Sequence, residues 1–600
     1  MVSSWLLHPV RRFTGRSMFS AALSAMLAGV VAVATTFAFL LPAAPACARA
    51  SVQPQQRATL SASAVAAPDR YSAETAQRIF AEGGNAVDAA VAITFTLAVT
   101  YPEAGNIGGG GFMTLFFNGK PYFLDYRERA PLAATRTMYL DAQGAVIHNK
   151  NLYGAAAAGV PGIVEGMWQV QRRFGKLSWQ QVLAPAIGYA RDGFLPDEQL
   201  IRRCNIVQQR LAGQFNFASW FAGMQANVNF RQPQLAQTLT RLAHDGESDF
   251  YRGKTARLIV ATMHSQGNGL ITAQDLAQYQ AVWRAPIEAD WKGFRIITAP
   301  PPSSGGIGLV QMLSMKADLA PLFEGVKLDS AIYVHRIAEI EKRVFADRAQ
   351  YLGDPDFYQV PVAQLLDDAY LKKRAAQVNP NSPSESASVL PGLGGGLPVR
   401  VVEEEKPQTT HFSVVDKWGN AVSSTCTLNG YFGSGVVVEG AGFLLNDEMD
   451  DFSSKPSVAN RFGVVGSEAN AIEPGKRPLS SMTPTILTRD GKVALVIGTP
   501  SGSRIFTTIF QVITDLVDHH LSLTDAVAAM RFHHQLLPPN TIFWEPSRAF
   551  DADLAAQLQA MGYVLHPQDF SGDVQAIMIE GNRPVPVADP RGRGVARVIP

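Results

Sequence analysis

The alternation of apolar and polar residues along the chain predicts both helices and strands. Helical periodicity runs through residues 72–100, where the triplet Gly83-Gly84-Asn85 ends one helix and caps the next. A glycine loop, NIGGGG, leads from there into a strand and a hairpin turn at Asn118-Gly119. From about residue 160 to 380 the pattern is mostly helical. We expect this long stretch to serve as scaffold.

Residues 380–408 interrupt the pattern with proline, glycine, serine and three consecutive glutamates. Such a composition cannot bury enough apolar surface to order itself, so we expect an exposed, mobile linker or tail. Beyond it, HFSVVD and NAVSSTCTL predict two strands joined by a turn at residues 416–420. KVALVIGTP, followed by SGSRIFTTIFQVITDLVDHHL, predicts a strand, a tight turn and a helix.

Composition indicates a globular chain that recognises any charged ligand locally. The 600 residues are 47% hydrophobic and 17% charged, enough for one large or several ordinary domains with buried cores. The 52 basic and 51 acidic side chains leave a formal net charge of +1. No overall field would therefore attract nucleic acid or an anionic membrane surface.

Residues 1–50 have the form of an export signal. Three arginines precede a long apolar run that closes on small residues, and cleavage after Ala48 or Ala50 would also remove Cys47. The mature protein would then be soluble outside the cytoplasm, either periplasmic or secreted. The apolar run is also long enough for an uncleaved membrane anchor, which stays the alternative.

The sequence offers little support for a metal or cofactor. Cys204 and Cys426, the cysteines beyond the signal, are far apart and no CxxC motif is present, which argues against zinc, redox chemistry or a disulfide framework. The GGGGF run lacks the lysine of a phosphate-binding loop, and no GxSxG motif occurs. We expect neither a metal nor a cofactor.

The junction EEEKPQTTHFSVVD raises a specific chemical possibility. A threonine hydroxyl is a weak nucleophile unless a base lies beside it. If the bond between Gln408 and Thr409 is cut, the new α-amine has a pKa near 8 and can take the proton of the hydroxyl on its own residue. Taken locally, two ordinary strand-forming threonines after a linker remain the simpler interpretation.

Longer motifs favour the nucleophile over the ordinary strand-forming threonines. TTHFSVVDKWGNAV, TLNGYFGSG, NDEMDDFS, RPLSSMTPTI and GTPSGSRI resemble the γ-glutamyltranspeptidases, which are N-terminal nucleophile hydrolases. GGNAVDAAVAI, NIGGGGFM, DYRERAP, PPPSSGGIG and FADRAQYLGDPDF extend the resemblance, in the family's order, over roughly residues 60–595.

The resemblance implies an α+β fold, the four-layer αββα sandwich with two antiparallel sheets between helical layers. It also implies self-cleavage between Gln408 and Thr409 into a large subunit, residues 51–408, and a small catalytic subunit, residues 409–600. Thr409 would be the nucleophile, and Thr427 would bond and orient its hydroxyl. Thr410 would give structural support.

The donor pocket of this family must hold the α-carboxylate and the α-ammonium of a γ-glutamyl group, and both charges need partners once they leave water. By resemblance, Arg127 grips the carboxylate with help from Ser480 and Ser481. The ammonium would be received by Asn429, Glu448 and Asp451.

Two further features follow from the resemblance. The turn at Ser501-Gly502 would offer backbone N–H groups to the oxyanion of the reaction, although family members typically have two glycines there. Residues 456–467 resemble a lid over the substrate, with Phe462 at the position of an aromatic gate that is often tyrosine. A closed lid would exclude water and favour small acceptors.

These features predict a γ-glutamyltransferase and glutathione hydrolase. Thr409 would take the γ-glutamyl group from glutathione or a related amide and pass it to water, an amino acid or a dipeptide. A cephalosporin acylase for glutaryl or γ-glutamyl side chains is the nearer alternative. A non-catalytic exported binding protein on the same scaffold is the more distant one.

Overall fold

The computed structural model describes residues 60–211, 213–396, 408–456, 458–460, 463–568 and 572–600. The predicted export signal, the end of the linker at residues 397–407 and the expected gate residue Phe462 lie outside the described residues. Among the described helices none is long and apolar enough to cross a membrane.

The described residues form three sheets. The strands are β1 Ser63–Ala67, β2 Gly110–Phe117, β3 Lys120–Asp125, β4 Val282–Arg284, β5 Ile287–Trp291, β6 Phe294–Thr298, β7 Gln408–Val415, β8 Ala421–Asn429, β9 Thr485–Arg489, β10 Lys492–Gly498, β11 Phe532–His533, β12 Thr541–Trp544, β13 Val564–Pro567, β14 Gln575–Glu580, β15 Arg583–Ala588 and β16 Val595–Ile599.

Helices form the largest part of the remaining regular structure. They are α1 Arg70–Ala81, α2 Ala86–Thr100, α3 Ile163–Phe174, α4 Trp179–Asp192, α5 Glu198–Arg210, α6 Phe217–Phe221, α7 Pro233–Asp245, α8 Ser248–Tyr251, α9 Lys254–Ser265, α10 Ala273–Ala277, α11 Gly305–Asp318, α12 Ala320–Phe323, α13 Ala331–Tyr351, α14 Val362–Leu365, α15 Asp368–Ala375, α16 Ile505–Val517, α17 Leu523–Ala528 and α18 Ala552–Ala560.

Two large antiparallel sheets lie face to face at the centre of the molecule. The first has the order β16-β1-β7-β8-β2-β3-β4, and the second the order β15-β14-β10-β9-β6-β5. Small apolar side chains such as Ala64, Ala66 and Val496 fill the space between them. The smaller sheet, β11-β12-β13, contains one parallel pair, β12 with β13.

Helices cover the outer face of each large sheet. Helix α2 contacts β7 and β8, and its residues are buried along its whole length. Helix α11 contacts β5, and α16 contacts β10. The order helix, sheet, sheet, helix confirms the predicted α+β four-layer αββα sandwich.

Local sequence signals account for several of these elements. Asn85 caps α2 through a capping box with Asp88, as the Gly83-Gly84-Asn85 break predicts. The turn between β2 and β3 needs positive φ at both positions, and Asn118 and Gly119 adopt φ of 53° and 75°. The predicted strands at β7, β8 and β10, and the helix α16 after the tight turn, are confirmed.

The stretch from residue 160 to 380 is mostly helical, as expected, but it also contains three strands that the pattern did not predict, β4, β5 and β6, over residues 282–298. Each of these strands is short, and in β5 only Ile287 and Trp291 are buried. Their strand pattern is therefore weaker than the helical periodicity on either side, and the sequence did not reveal it. These strands extend both central sheets at one edge.

The expected mobile linker also differs over its first part. Residues 380–396 lie against α13, where Glu339 accepts hydrogen bonds from Ser384 N at 3.0 Å and Ser384 Oγ at 2.6 Å. Asp347 accepts one from Gly392 N at 2.8 Å. Composition alone misses this docking because buried carboxylates on a distant helix provide hydrogen-bond partners, to which the burial of Val389 adds an apolar contact.

Candidate active site

One cavity gathers nine of the ten residues that the sequence predicts for the site. Its lining includes Arg127, Thr409, Thr427, Asn429, Glu448, Asp451, Ser480, Ser481 and Gly502. Ser501, the tenth, is fully buried in the turn next to Gly502. These residues come from widely separated parts of the chain, and the two central sheets bring them together. Their individual roles stay predictions.

Thr409 lies near the start of β7, beside Thr427 on β8. The two threonines face each other in the strand register, and Thr409 Oγ1 donates to Thr427 Oγ1 at 3.5 Å. Thr427 Oγ1 in turn accepts from the backbone N–H of Asn429 at 2.8 Å. The register shifts between Gln408 and Thr409, so the strand pairing is irregular at the bond expected to be cut.

Arg127 is buried at the centre of an ion-pair cluster. Its Nη1 lies 2.6 Å from Glu448 Oε2, its Nη2 pairs with Asp451, and its Nε donates to Pro478 O at 3.2 Å. The family resemblance predicts that Arg127 binds the carboxylate of a ligand and that Glu448 and Asp451 bind its ammonium. In the structure these protein groups pair with one another instead. Charges removed from water need such partners.

Burial shifts the acid-base properties of the carboxyls in this cluster. It raises the pKa of Glu448 well above its ordinary value, although Arg127 opposes the shift. It also raises the pKa of Glu128, which lies 3.5 Å from Arg127 Nη1, to about 8. Glu128 is therefore largely protonated near neutral pH.

Asn429 ends β8 with a backbone bend. Its φ is 76°, and its side-chain Nδ2 donates to Asp447 O at 3.0 Å. The next residue, Gly430, donates from its backbone N–H to Asp447 Oδ1 at 2.8 Å. These bonds tie the end of β8 to the turn that carries Glu448 and Asp451.

The paired serines are held by a neighbouring helix. Ser480 O accepts from both the backbone N–H and the hydroxyl of Ser304, each at 2.8 Å. Arg348 of α13 donates from Nε to Ser304 Oγ at 3.0 Å and from Nη2 to Ser481 Oγ at 3.2 Å. Sequence reasoning missed Arg348, although it lies within the quoted motif FADRAQYLGDPDF.

The predicted oxyanion turn joins β10 to α16. Ser501 has φ 122° and ψ 31°, a region that glycine adopts far more readily than serine, and a single 3-10 turn, Gly502–Arg504, follows it. Gly502 and Ser503 line the cavity with Thr409. The position at which the family typically has glycine thus retains a glycine-like backbone.

Part of the expected lid also reaches the cavity. Val464 belongs to the lining, and Asn460 Nδ2 donates to Asp451 Oδ1 at 3.4 Å. The segment is therefore tied to a residue of the ion-pair cluster. Its movement, and the role of Phe462, stay predictions.

Comparison with known proteins decides the family. The γ-glutamyltranspeptidase family model matches residues 72–599. The chain belongs to the γ-glutamyltranspeptidase family. It is 60% identical to the glutathione hydrolase proenzyme of Pseudomonas aeruginosa over 544 residues, which are 90% of this chain and 95% of that protein.

Solved structures of γ-glutamyltranspeptidase relatives agree with this placement. The γ-glutamyltranspeptidase from Pseudomonas nitroreducens, complexed with L-DON, is 57% identical, with a TM-score of 0.55 over 56% of this chain and 100% of that chain. The cephalosporin acylase from Bacillus halodurans is 25% identical, with a TM-score of 0.75 over 91% of this chain and 97% of that chain. Because acylases share this fold, the fold alone does not identify the donor substrate, and the groups that line the cavity carry that information.

Proposed function

We propose that this protein is a self-processing γ-glutamyltransferase and glutathione hydrolase. The chain cuts itself between Gln408 and Thr409, and Thr409 then carries the γ-glutamyl group of glutathione or a related amide. Water, an amino acid or a dipeptide accepts the group. The large and small subunits, residues 51–408 and 409–600, remain together as a heterodimer.

The observation that carries this proposal is the charge arrangement around Thr409. One cavity holds a nucleophilic hydroxyl, an arginine with two neighbouring serines, and two carboxylates with an asparagine. A γ-glutamyl group brings an α-carboxylate and an α-ammonium into that cavity, so each of its charges meets groups of the opposite kind.

The chemistry proceeds in two steps. Once the α-amine of Thr409 is free, it takes the proton of Thr409 Oγ1, and the oxygen attacks the γ-carbonyl carbon. The backbone N–H groups of Ser501 and Gly502 stabilise the oxyanion, and the leaving amine departs with the proton. The acceptor then attacks the acyl-enzyme ester, which releases the product and restores Thr409.

A glutaryl donor, as expected for the acylase alternative, fits this cavity less well. A glutaryl group has a carboxylate but no ammonium, so it leaves Glu448 and Asp451 without a positive partner from the ligand. We therefore expect a higher kcat/KM for a γ-glutamyl than for a glutaryl p-nitroanilide.

We further propose that residues 1–50 direct export and are removed, so that the enzyme acts in the periplasm or outside the cell. Sequencing of the large fragment's N-terminus checks this: a start shortly after Ala48 or Ala50 is expected, and a start at Met1 would favour the membrane anchor.

The deciding experiment replaces Thr409. Thr409→Ala removes the hydroxyl that is proposed to attack first the chain itself and later the donor. We therefore expect a single uncut chain and no release of p-nitroaniline from γ-glutamyl-p-nitroanilide. Thr409→Ser, the matched control, retains a hydroxyl and should still give two fragments, the smaller beginning at residue 409. An uncut wild-type chain with full activity would contradict the proposal, and an uncut inactive chain would favour the binding-protein alternative.

A further inference from the structure

A second arginine of the cavity, Arg348, makes no direct ion pair with the cluster around Arg127, although the charge of Asp451 acts on it from a greater distance. Its side chain leaves α13 and is 8% exposed, and it lines the same cavity as Thr409. Burial lowers its pKa to about 10, which still leaves it protonated at neutral pH. It is therefore a cation held inside the candidate donor pocket.

The two arginines of the pocket differ in their partners. Arg127 is paired with Glu448 and Asp451. Among the described residues, no carboxylate oxygen lies within 4 Å of the Arg348 guanidinium, whose hydrogen bonds go to the hydroxyls of Ser304 and Ser481. Of the two arginines that line the cavity, Arg348 is thus the one without a carboxylate at ion-pair distance among the described residues.

The contact with Ser481 sets the direction of a hydroxyl. A guanidinium can only donate, so Ser481 Oγ accepts from Arg348 Nη2 and its own hydrogen must point elsewhere. The neighbouring hydroxyl of Ser304 lies 3.4 Å from Ser481 Oγ and already donates to Ser480 O. In that contact Ser304 Oγ can therefore only accept, and the Ser481 hydrogen makes a long bond to it for which an anion in the cavity would compete.

We propose that Arg348 is the positioning residue that makes this site selective for donors with a free α-carboxylate. It orients the Ser481 hydroxyl toward that carboxylate and adds a positive charge that no protein carboxylate offsets directly. Arg127 exchanges its bonds to Glu448 and Asp451 for the ligand, whereas Arg348 needs no exchange. This inference rests on the proposed γ-glutamyl transfer and extends it to donor selectivity.

The test compares three donors that share one leaving group. γ-Glutamyl-p-nitroanilide has both the carboxylate and the ammonium, glutaryl-p-nitroanilide has only the carboxylate, and 4-aminobutyryl-p-nitroanilide has only the ammonium. In Arg348→Gln we expect the KM of the two carboxylate donors to rise about tenfold or more, with kcat changed less than about threefold. The KM of the 4-aminobutyryl donor should stay the same.

Two further variants make the result decisive. Arg348→Lys keeps the charge but not the planar fork, so it should retain part of the preference for carboxylate donors. If the Arg348→Gln variant does not process itself, the Arg348→Lys variant takes its place in the comparison. Arg343→Gln removes an arginine from the same helix that pairs with Glu339 away from the cavity, so stability should fall with no change in the donor ratio.

Each outcome has one meaning. A selective rise in KM for the carboxylate donors supports the inference. An equal loss on all three donors, or no change on any, overturns it and leaves Arg348 with a structural role only. A processed wild-type protein that releases p-nitroaniline from none of the donors overturns the proposed function instead.

Discussion

At the scale of single residues, the cavity keeps Arg127, Glu448 and Asp451 out of water by pairing them with each other, whereas the hydrogen bonds of Arg348 go to hydroxyls. Arg127 bonds Glu448 and Asp451, so no ligand is needed to stabilise the empty pocket. In the proposed binding mode, a donor with both charges would replace these pairs, with its carboxylate on Arg127 and its ammonium on the two carboxylates. A donor with one charge would leave a protein charge unpaired, and we expect this to contribute to selectivity together with Arg348.

Ser501 is the residue at which the backbone is most clearly strained. At its φ of 122° a Cβ atom is unfavourable, so we expect Ser501→Gly to be more stable than Ser501→Ala by roughly 1–2 kcal/mol. Comparing these two variants cancels the loss of the hydroxyl. Urea unfolding at equilibrium, performed on the uncut Thr409→Ala background to keep one chain, measures the difference.

The same pair of substitutions at Ser503, whose φ is not positive, serves as the control. There the order should reverse, with glycine less stable than alanine by about 0.5–1 kcal/mol. If alanine is also the more stable residue at position 501, the turn is not strained in the way that its dihedral angles indicate.

At the scale of elements, the strand that carries Thr409 and the strand that leads into the turn at Ser501-Gly502 touch directly. His411 lies on β7 two residues after Thr409, and its ring packs against Gly498, the last residue of β10. Burial lowers the pKa of His411 to about 3, so the ring between the sheets is neutral. Hydrogen bonds to Thr425 at 2.8 Å and Ser413 at 3.2 Å fix its position.

We expect Gly498→Ala to damage both stability and activity. A Cβ at this position would lie 2.2 Å from the His411 ring, which two hydrogen bonds hold in place. Such overpacking typically destabilises by about 1–3 kcal/mol, and here it displaces the turn at Ser501-Gly502 from Thr409. Thermal unfolding and kcat with γ-glutamyl-p-nitroanilide, measured on the same preparation, check both effects.

Gly188→Ala is the matched control, because Gly188 lies in α4 with open space where a Cβ would be added. That variant should be unchanged in activity and more stable by about 0.5–1 kcal/mol. Full kcat in Gly498→Ala would show that the contact between β7 and β10 does not position the oxyanion turn.

The elements also show what the sequence could predict and what it could not. Local signals predicted the cap at Asn85 and the turn at Asn118-Gly119, because each depends on neighbouring residues alone. The docking of residues 380–396 on α13, by contrast, depends on partners far apart in sequence. Arg348 was missed for the same reason, since Ser481 lies 133 positions away along the chain.

At the scale of the whole molecule, the expected cut falls inside the central sheet. All of β8, and all of β7 except its first residue, lie after the expected cut, yet their neighbours in the sheet, β1 and β2, lie before it. The second sheet is mixed in the same way, because β9 pairs with β6. Neither piece can complete a sheet alone, so the two subunits should share one folding unit.

This topology predicts how cutting changes the response to dilution. Unfolding of the cut protein releases two chains, so its apparent free energy of unfolding should rise by about 1.4 kcal/mol for each tenfold increase in protein concentration. Its urea midpoint should rise accordingly. The uncut Thr409→Ala chain unfolds to a single molecule, so its midpoint should not move. Size-exclusion chromatography without denaturant should give both proteins the same elution volume, because the subunits stay paired until the sheets open. A concentration-independent midpoint for the cut protein, or a small subunit that elutes folded on its own, would mean that the fragments are separate domains and that the shared sheet does not hold them together.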